Sequence, residues 1–437
     1  MKTLIKNTIL FGIMLMLLVT VGIFQSWNVA LAILNLCLIS AIMTMGVNIQ
    51  WGYAGLFNAG VMGFTALGGI AAVVISIPPV QSAWLAGGSR AMLGLLIGVI
   101  SIFLVVVVWK KTAKLGRIRY WLTALMVIGG YALMRMVIDP AIEAIEAIEP
   151  AKTGFLGGFG LPVIFSWIVG GAFAASVAWV VGRVSLGLRS DYLAIATLGI
   201  SEIIIYFLKY EEWLTRGVKN VNGIPRPVPY EIDLQKTLWL QEWAERFEMP
   251  VIELSSIIVK ISYASLFITV LLVIFYLSET ALKSPWGRMM RAIRDNETAA
   301  NAMGKNVTWR HLQVFVLGSA VVGMAGAMLT TLDGQFTPAS YQPMRFTFLV
   351  WVMVIVGGSG NNLGSVLGGF VIWFFWIEAE PIGLALMNFI TSGMSQENPL
   401  RIHLLENAAH MRLMTMGLVL LLTLRFAPKG LIPEVKR

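Results

Sequence analysis

The chain has 437 residues, of which 57% are hydrophobic and only 13% are charged, with a formal net charge of +9. Soluble domains carry about a quarter charged residues, so this composition excludes a soluble globular protein and predicts a polytopic membrane protein. Its long apolar runs exclude a membrane β-barrel, whose strands alternate over about ten residues. We expect an all-α fold of about 10 to 12 transmembrane helices, in a single domain covering residues 1–437.

Basic and acidic loops predict the orientation of these helices. The linker 110–119 carries five cations and no acid, and residues 283–310 carry six cations. Because cations accumulate in cytoplasmic loops, we expect both stretches and both termini on the cytoplasmic side. The acidic stretches 139–149 and 211–253 then lie outside. We interpret the net positive charge as a topology signal and expect no nucleic-acid partner.

The first glycine-rich stretch, residues 46–69 (GVNIQWGYAGLFNAGVMGFTALGG), carries polar side chains where the chain should be crossing lipid. Such groups are costly in a membrane unless they face a neighbouring helix or a water-filled path. One interpretation is a tightly packed helix pair with internal hydrogen bonds. The other is a broken helix along a translocation path, with Asn58 and Thr65 as candidate lining residues.

Glu202 ends the stretch 183–202 (RVSLGLRSDYLAIATLGISE) and falls about ten residues into a predicted span. An intramembrane carboxylate is expensive and is therefore a candidate for the translocation path. We favour a structural role that pins two helices together over direct substrate contact. Beyond this span, residues 209–256 form a long external loop, which is expected to contain a small outer element.

Residues 284–304 (SPWGRMMRAIRDNETAANAMG) are polar, basic and helix-prone, and they lie between long apolar runs. Ser284 suits a helix cap, Pro285 the first helical position, and Gly304 the turn that ends a helix. Asp295 or Asn296 would cap a second short helix. We predict that residues 280–310 form a cytoplasmic docking element for a partner; the alternative is an ordinary solvated helix.

Three glycines, Gly360, Gly364 and Gly368, form two overlapping GxxxG steps. This spacing favours close helix packing, either within the bundle or between two membrane chains. No paired-cysteine or HExxH pattern predicts a metal site, and no catalytic residue is predicted. The sequence also lacks a P-loop, so ATP is not expected to bind to this chain in the usual phosphate cradle.

Six segments, taken in order, resemble LivM-type permeases, the membrane subunits of ABC importers for branched-chain amino acids. Residues 55–60 (GLFNAG) are similar to that family's GLLNLG, and residues 183–202 to its LRLRGDYLAIVTLGFGEI. The stretch 215–229 resembles TGGSNGIxGIPRP, and residues 317–327 resemble SAxxAGLAGAL. The GxxxG steps resemble GGxGSxxGxxxGA, and residues 425–434 (RFAPKGLIPE) resemble RFRPxGLxP. Residues 90–150 depart from the family as an insertion of two apolar runs, a basic linker and an acidic repeat.

The resemblance implies a non-enzymatic transport subunit of the bacterial cytoplasmic (inner) membrane. It implies partners as well: ATP-binding cassette ATPase subunits that bind ATP and Mg²⁺, a second permease, and an extracytoplasmic substrate-binding protein. This chain would hold no cofactor and would contact the ATPases through the Glu-Ala-Ala-type loop. The implied coupling residues are Arg288, Arg291, Arg294, Glu297, Ala299, Ala300 and Gly304. The alternatives are a urea or short-amide permease on the same scaffold and an ion-coupled secondary carrier.

Overall fold

The computed structural model describes residues 2–114, 116–149 and 154–434. In chain order its helices are α1 (Lys2–Phe24), α2 (Trp27–Ala54), α3 (Val61–Ser76), α4 (Gln81–Lys111, with a π-helical turn at Trp84–Gly88), α5 (Ile118–Glu146), α6 (Ile164–Ser185), α7 (Ser190–Tyr210), α8 (Glu212–Thr215), α9 (Glu231–Gln235), α10 (Leu238–Arg246), α11 (Val251–Lys283), α12 (Pro285–Asp295), α13 (Glu297–Ala302), α14 (Val307–Asp333), α15 (Pro343–Gly357), α16 (Asn362–Ile390) and α17 (Pro399–Phe426, with a 3-10 turn at Asn407–His410). Two-residue strands β1 (Val221–Asn222) and β2 (Gln335–Phe336) pair antiparallel, with Val221 opposite Phe336.

Ten helices in the described part of the chain are long and apolar enough to cross a membrane, and α3 and α15 are shorter apolar helices. A helix needs about 20 apolar residues to cross the hydrocarbon core, so the two short helices depend on their neighbours for cover. The predicted all-α polytopic fold is confirmed.

The centre of the bundle is built from α2, α3 and α14. Every residue of α3 except Val74 is buried. The helices come unusually close because small residues face each other where they cross. A Cβ atom on Gly68 of α3 would collide with the main-chain carbonyl of Gly323 of α14, and one on Gly326 with the carbonyl of Thr65. Backbone packing of this kind replaces the hydrophobic driving force that is absent between helices in lipid.

The glycine-rich stretch 46–69 forms two helices with a break between them. Helix α2 ends at Ala54, where Gly55 adopts a left-handed conformation with φ of +70°. A six-residue turn follows, and α3 begins at Val61. Asn58 lies in this turn, and Thr65 lies one turn into α3.

Helices α4 and α5 form an antiparallel hairpin that occupies most of the predicted 90–150 insertion. Gly94 packs against Ile138, and Gly98 packs against Met134. The hairpin joins the rest of the protein mainly near the start of α4, where the Trp84 indole donates a hydrogen bond of 3.0 Å to the carbonyl of Leu156. Most of its remaining surface is exposed.

Both ends of the described chain lie at the end of the bundle that carries α12. Asn7 and Glu434 line the same cavity as Arg291 of α12. The stretch 209–256 contains α8 to α10 and β1, between the end of α7 and the start of α11. Its turn 226–231 is closed by an ion pair of 2.9 Å between Arg226 and Glu231. That the α12 end faces the cytoplasm stays a prediction from the basic loops.

Candidate functional site

The segment that joins α11 to α14 folds into two short helices, as its sequence predicts. The Ser284 hydroxyl accepts a hydrogen bond of 3.4 Å from the Gly287 amide, and Pro285 is the first residue of α12. Asn296 caps α13 by accepting a bond of 2.9 Å from the Ala299 amide. Gly304 ends the segment with a φ of +75°, a conformation in which a residue without a Cβ atom is strongly favoured.

One helix of this segment is anchored and the other is exposed. Helix α12 buries Met290 and Ile293 against the bundle. In α13, Glu297 and Ala299 are exposed, whereas Ala300 is half-buried. The exposed surface continues through Met303, which is 79% exposed, and Gly304. An exposed helix held by one whose inner face is buried is a suitable shape for a docking element.

The three arginines of α12 that were predicted as coupling residues make different contacts. Arg294 turns inward, donating a hydrogen bond to the carbonyl of Gly52 and forming an ion pair of 3.0 Å with Glu434. It therefore joins α12 to the end of α2 and to the C-terminal segment. Arg288 and Arg291 donate to the carbonyls of Lys283 and Leu282, at 3.1 and 3.4 Å. These carbonyls end α11, so both cations complement the negative end of its helix dipole.

A cavity of about 1000 Å³ opens beside α12. Four cations contribute to its lining, namely Lys283, Arg288, Arg291 and Arg294. Glu279 and Glu434 also line it, together with the turn between α15 and α16. The cavity thus has a mixed-charge wall next to α12.

At the wall of this cavity, Asn362 at the start of α16 is the centre of a hydrogen-bond network. Its carbonyl oxygen accepts bonds from Tyr53 and from Asn48, the latter at 3.2 Å, and its amide donates to Glu279 at 3.0 Å. Asn48 in turn accepts from the Gly360 amide at 2.8 Å. The network joins α2, α11 and α16 immediately behind the contacts of Arg294.

Asn58, a predicted path residue, is buried and hydrogen-bonded. Its amide donates to Gln50 at 3.0 Å, and its side-chain oxygen accepts from the Gly60 amide at 2.8 Å. Gln50 continues the chain of bonds to Ser319 of α14 at 3.0 Å. The Trp351 indole donates to the Asn58 carbonyl at 3.0 Å. These bonds fix the turn between α2 and α3 to α14 and α15.

The other two predicted path residues differ in their surroundings. Thr65 is buried, and its hydroxyl donates within α3 to the Val61 carbonyl at 3.0 Å. Glu202 is half-buried in α7. The structure brings Asn58 into the central polar region but does not place Glu202 in the same hydrogen-bond network.

The three GxxxG glycines lie at the junction of α15 and α16. Gly360 is in the turn, with a φ of +82°. A Cβ atom on Gly364 would collide with the Gly357 carbonyl, and one on Gly368 with the Met353 carbonyl. Both helical glycines therefore face α15 of the same chain.

Sequence reasoning missed a buried carboxylate, Glu378 of α16. It accepts a hydrogen bond of 2.7 Å from Gln25, at the end of α1, and its other oxygen is buried without a hydrogen-bond partner in the described structure. The sequence does indicate an intramembrane carboxylate here, because Glu378 follows a long apolar run and precedes Pro381 by three residues. The described residues contain no group of three or more His, Cys, Asp or Glu side chains that could hold a metal ion.

The many apolar helices, the anchored segment of α12 and α13 and the polar network beside it define a multi-pass membrane protein. The chain belongs to the family described as branched-chain amino acid transport system / permease component, whose profile matches residues 121–424. The resemblance to LivM-type permeases is thereby confirmed, and the chain is a multi-pass protein of the inner membrane.

Three relatives carry the same kind of name. The chain is 25% identical to the probable branched-chain amino acid transport permease protein LivM of Methanocaldococcus jannaschii, over 60% of this chain and 66% of the relative. It is 26% identical to the high-affinity branched-chain amino acid transport system permease protein LivM of Escherichia coli K12, over 47% of this chain and 48% of the relative. The protein of the same name in Salmonella typhimurium is 27% identical, over 45% and 46%. The chain thus spans just under two thirds of the archaeal relative and about half of the two bacterial ones. No solved structure matches significantly.

Proposed function

We propose that this chain is a permease subunit of an ABC importer that takes up branched-chain or other small neutral amino acids. The observation that carries this proposal is the exposed helix α13, held at the end of the bundle by the buried face of α12. ATP hydrolysis on partner ATPase subunits drives transport, and ATP and Mg²⁺ bind to those partners. This chain itself is not an enzyme.

Coupling proceeds through α12. An ATPase that grips Glu297, Ala299, Ala300 and Gly304 moves α13, and α12 moves with it. Arg294 carries this displacement to the end of α2 through Gly52 and to the C-terminal segment through Glu434. Packed helices have discrete alternative arrangements, so a small shift at the docking helix is converted into a rearrangement of the bundle.

Two further partners complete the proposed importer. A second permease contributes the other half of the path, since a zwitterionic amino acid needs polar partners at both of its ends. An extracytoplasmic binding protein delivers substrate to the face that carries residues 209–256. The branched-chain substrate class is supported by the names of the relatives. Urea or a short amide is the alternative cargo.

The docking site is tested by purifying the chain in mild detergent from its own cells and identifying the subunits that accompany it. With wild type, we expect a P-loop ATPase and a second permease. Glu297→Lys, at an exposed position of α13, should lose the ATPase and keep the second permease. Glu245→Lys is the matched control, because Glu245 is exposed on α10, in the predicted external region.

The outcomes are distinct. Loss of the ATPase in Glu297→Lys alone supports the docking site, and equal loss in both variants points to general misfolding. Recovery of the wild-type chain without an ATPase would favour an ion-coupled carrier. Uptake of labelled leucine, compared with uptake of labelled urea in cells with and without the chain, then decides the cargo.

A further inference from the structure

The α4–α5 hairpin takes no part in the proposed transport mechanism and has features of its own. It is joined to the bundle mainly near the start of α4 and the end of α5, through Trp84 and Glu146. From there both helices run away from their attachment as an isolated pair with a mostly exposed apolar surface. The pair leads to the basic linker 110–119 at its far end.

An apolar groove of about 260 Å³ lies between the two helices. Its lining includes Gly98 and Ser101 of α4 and Gly130 of α5, small residues at which the two helices approach each other closely. Its walls include Val106 and Val127. The groove lies between two helices that are each long and apolar enough to cross a membrane.

The linker beside the groove is strongly basic. Its cations are Lys110, Lys111, Lys114, Arg117 and Arg119. The Arg119 guanidinium stacks on the Trp109 ring, 3.5 Å from its centroid, and Trp109 meets Tyr120 edge-on at 5.6 Å. This cluster holds the closed end of the hairpin in place. Val106 precedes Lys110 by four residues, so the groove begins about 6 Å along the helix from the first of these cations.

We propose that the hairpin binds an acidic glycerophospholipid, with the phosphate at the basic linker and an acyl chain in the groove. Charge complementarity selects this occupant, because a cluster of cations at the membrane edge attracts anionic headgroups. The groove supplies a second contact that an ordinary basic loop lacks. A transmembrane helix of a partner protein would fit the apolar groove but would leave the cations without a counter-charge.

The headgroup contact is tested on the protein purified in mild detergent with its accompanying subunits. Bound phospholipids are extracted and identified by mass spectrometry. Wild type should retain an acidic phospholipid. The triple variant Lys110→Gln, Lys111→Gln and Lys114→Gln should retain it about a hundred-fold more weakly, because each cation near a membrane surface contributes roughly five-fold. The control is Arg425→Gln with Lys429→Gln, two exposed cations at another predicted cytoplasmic edge.

The groove contact is tested with a filling substitution. Val127→Phe places a ring in the groove and should displace the lipid, whereas Leu125→Phe, on the same helix but outside the groove lining, should keep it. Equal lipid content in all variants would overturn the proposal, as would retention of zwitterionic lipid in the same amount. A co-purifying membrane protein lost with Val127→Phe would also overturn it in favour of a helix partner. All variants should still bind the ATPase, so the result is separate from that of the proposed function.

Discussion

At the scale of single residues, the polar side chains of the bundle act as connectors. Arg294 links three parts of the chain that are far apart in sequence, through Gly52 and Glu434. Asn362 does the same for α2, α11 and α16. Buried polar groups are costly unless their bonds are satisfied, so each connector depends on its partners being in place.

The Arg294–Glu434 pair should contribute to coupling more than to folding. In proteoliposomes, we expect Arg294→Gln and Glu434→Gln each to reduce the amount of substrate transported per ATP hydrolysed. Their effects should not add, with an interaction energy of about 1 kcal/mol, because both variants remove one contact. Arg189→Gln, at an exposed arginine, is the control. Additive effects of the two changes would show that the pair is not the link.

Asn362→Leu should destabilise the bundle strongly. It leaves the buried Asn48 amide and Tyr53 hydroxyl without their partner, and each unsatisfied buried group costs about 1–3 kcal/mol. The thermal unfolding midpoint in detergent measures this loss. Leu363→Ala, at the exposed neighbouring position, should change it little. An unchanged midpoint in Asn362→Leu would mean that the network does not hold these helices together.

At the scale of elements, helix contacts are set by glycine. Gly364 and Gly368 bring α16 against α15, and Gly68 brings α3 against α14. In each case the added Cβ atom would meet a main-chain carbonyl, which cannot rotate away as a side chain can. The close crossings are therefore intolerant even of alanine.

Gly368→Ala should cost about 1–3 kcal/mol of stability through overpacking. The matched control is Gly417→Ala in α17, where a Cβ atom would meet nothing within 4 Å. That control should be neutral or slightly stabilising, since alanine is the better helix former. Thermal unfolding of the two variants in the same detergent makes the comparison. Similar midpoints would refute the close crossing of α15 and α16.

The sequence predicted local structure, such as caps and turns, better than it predicted which distant residues pack around a side chain. The caps at Ser284 and Asn296 and the turn at Gly304 followed from residue chemistry within a few positions of the chain. The sequence does not show that Asn58 bonds to Gln50 or that Thr65 packs against α14. That these two residues line a path stays a prediction. Glu378 escaped notice because its partner, Gln25, lies at the other end of the chain. Contacts between distant segments carry no local signal.

At the scale of the whole molecule, the bundle has two unlike ends. One carries the chain ends, α12 and α13, and the other carries the strand pair and α10. The lone cysteine, Cys37, is fully buried. The native protein should therefore react very little with thiol reagents. A cysteine introduced at either end can then be labelled without background.

Introduced cysteines should report opposite sides of the membrane. In intact cells, a membrane-impermeant maleimide should label Glu242→Cys on α10 and leave Met303→Cys unlabelled. Both positions are exposed, so Met303→Cys should react once the membrane is opened. Wild type, with Cys37 alone, is the background control. The reverse pattern would overturn the cytoplasmic placement of α12 and α13.

The enclosure of α3 has a consequence for how the protein is made. A helix of 16 residues rises about 24 Å, less than the roughly 30 Å of hydrocarbon that it would face alone. Its main neighbour α14 leaves the ribosome much later, after the whole 209–256 stretch. Until then α3 can pack on α6, where Gly170 approaches Gly68, but its contact with Gly323 of α14 stays unmade. A chain truncated before Val307 would lack α14, so the face of α3 at Gly68 would stay uncovered. We expect membrane proteases to degrade such a chain.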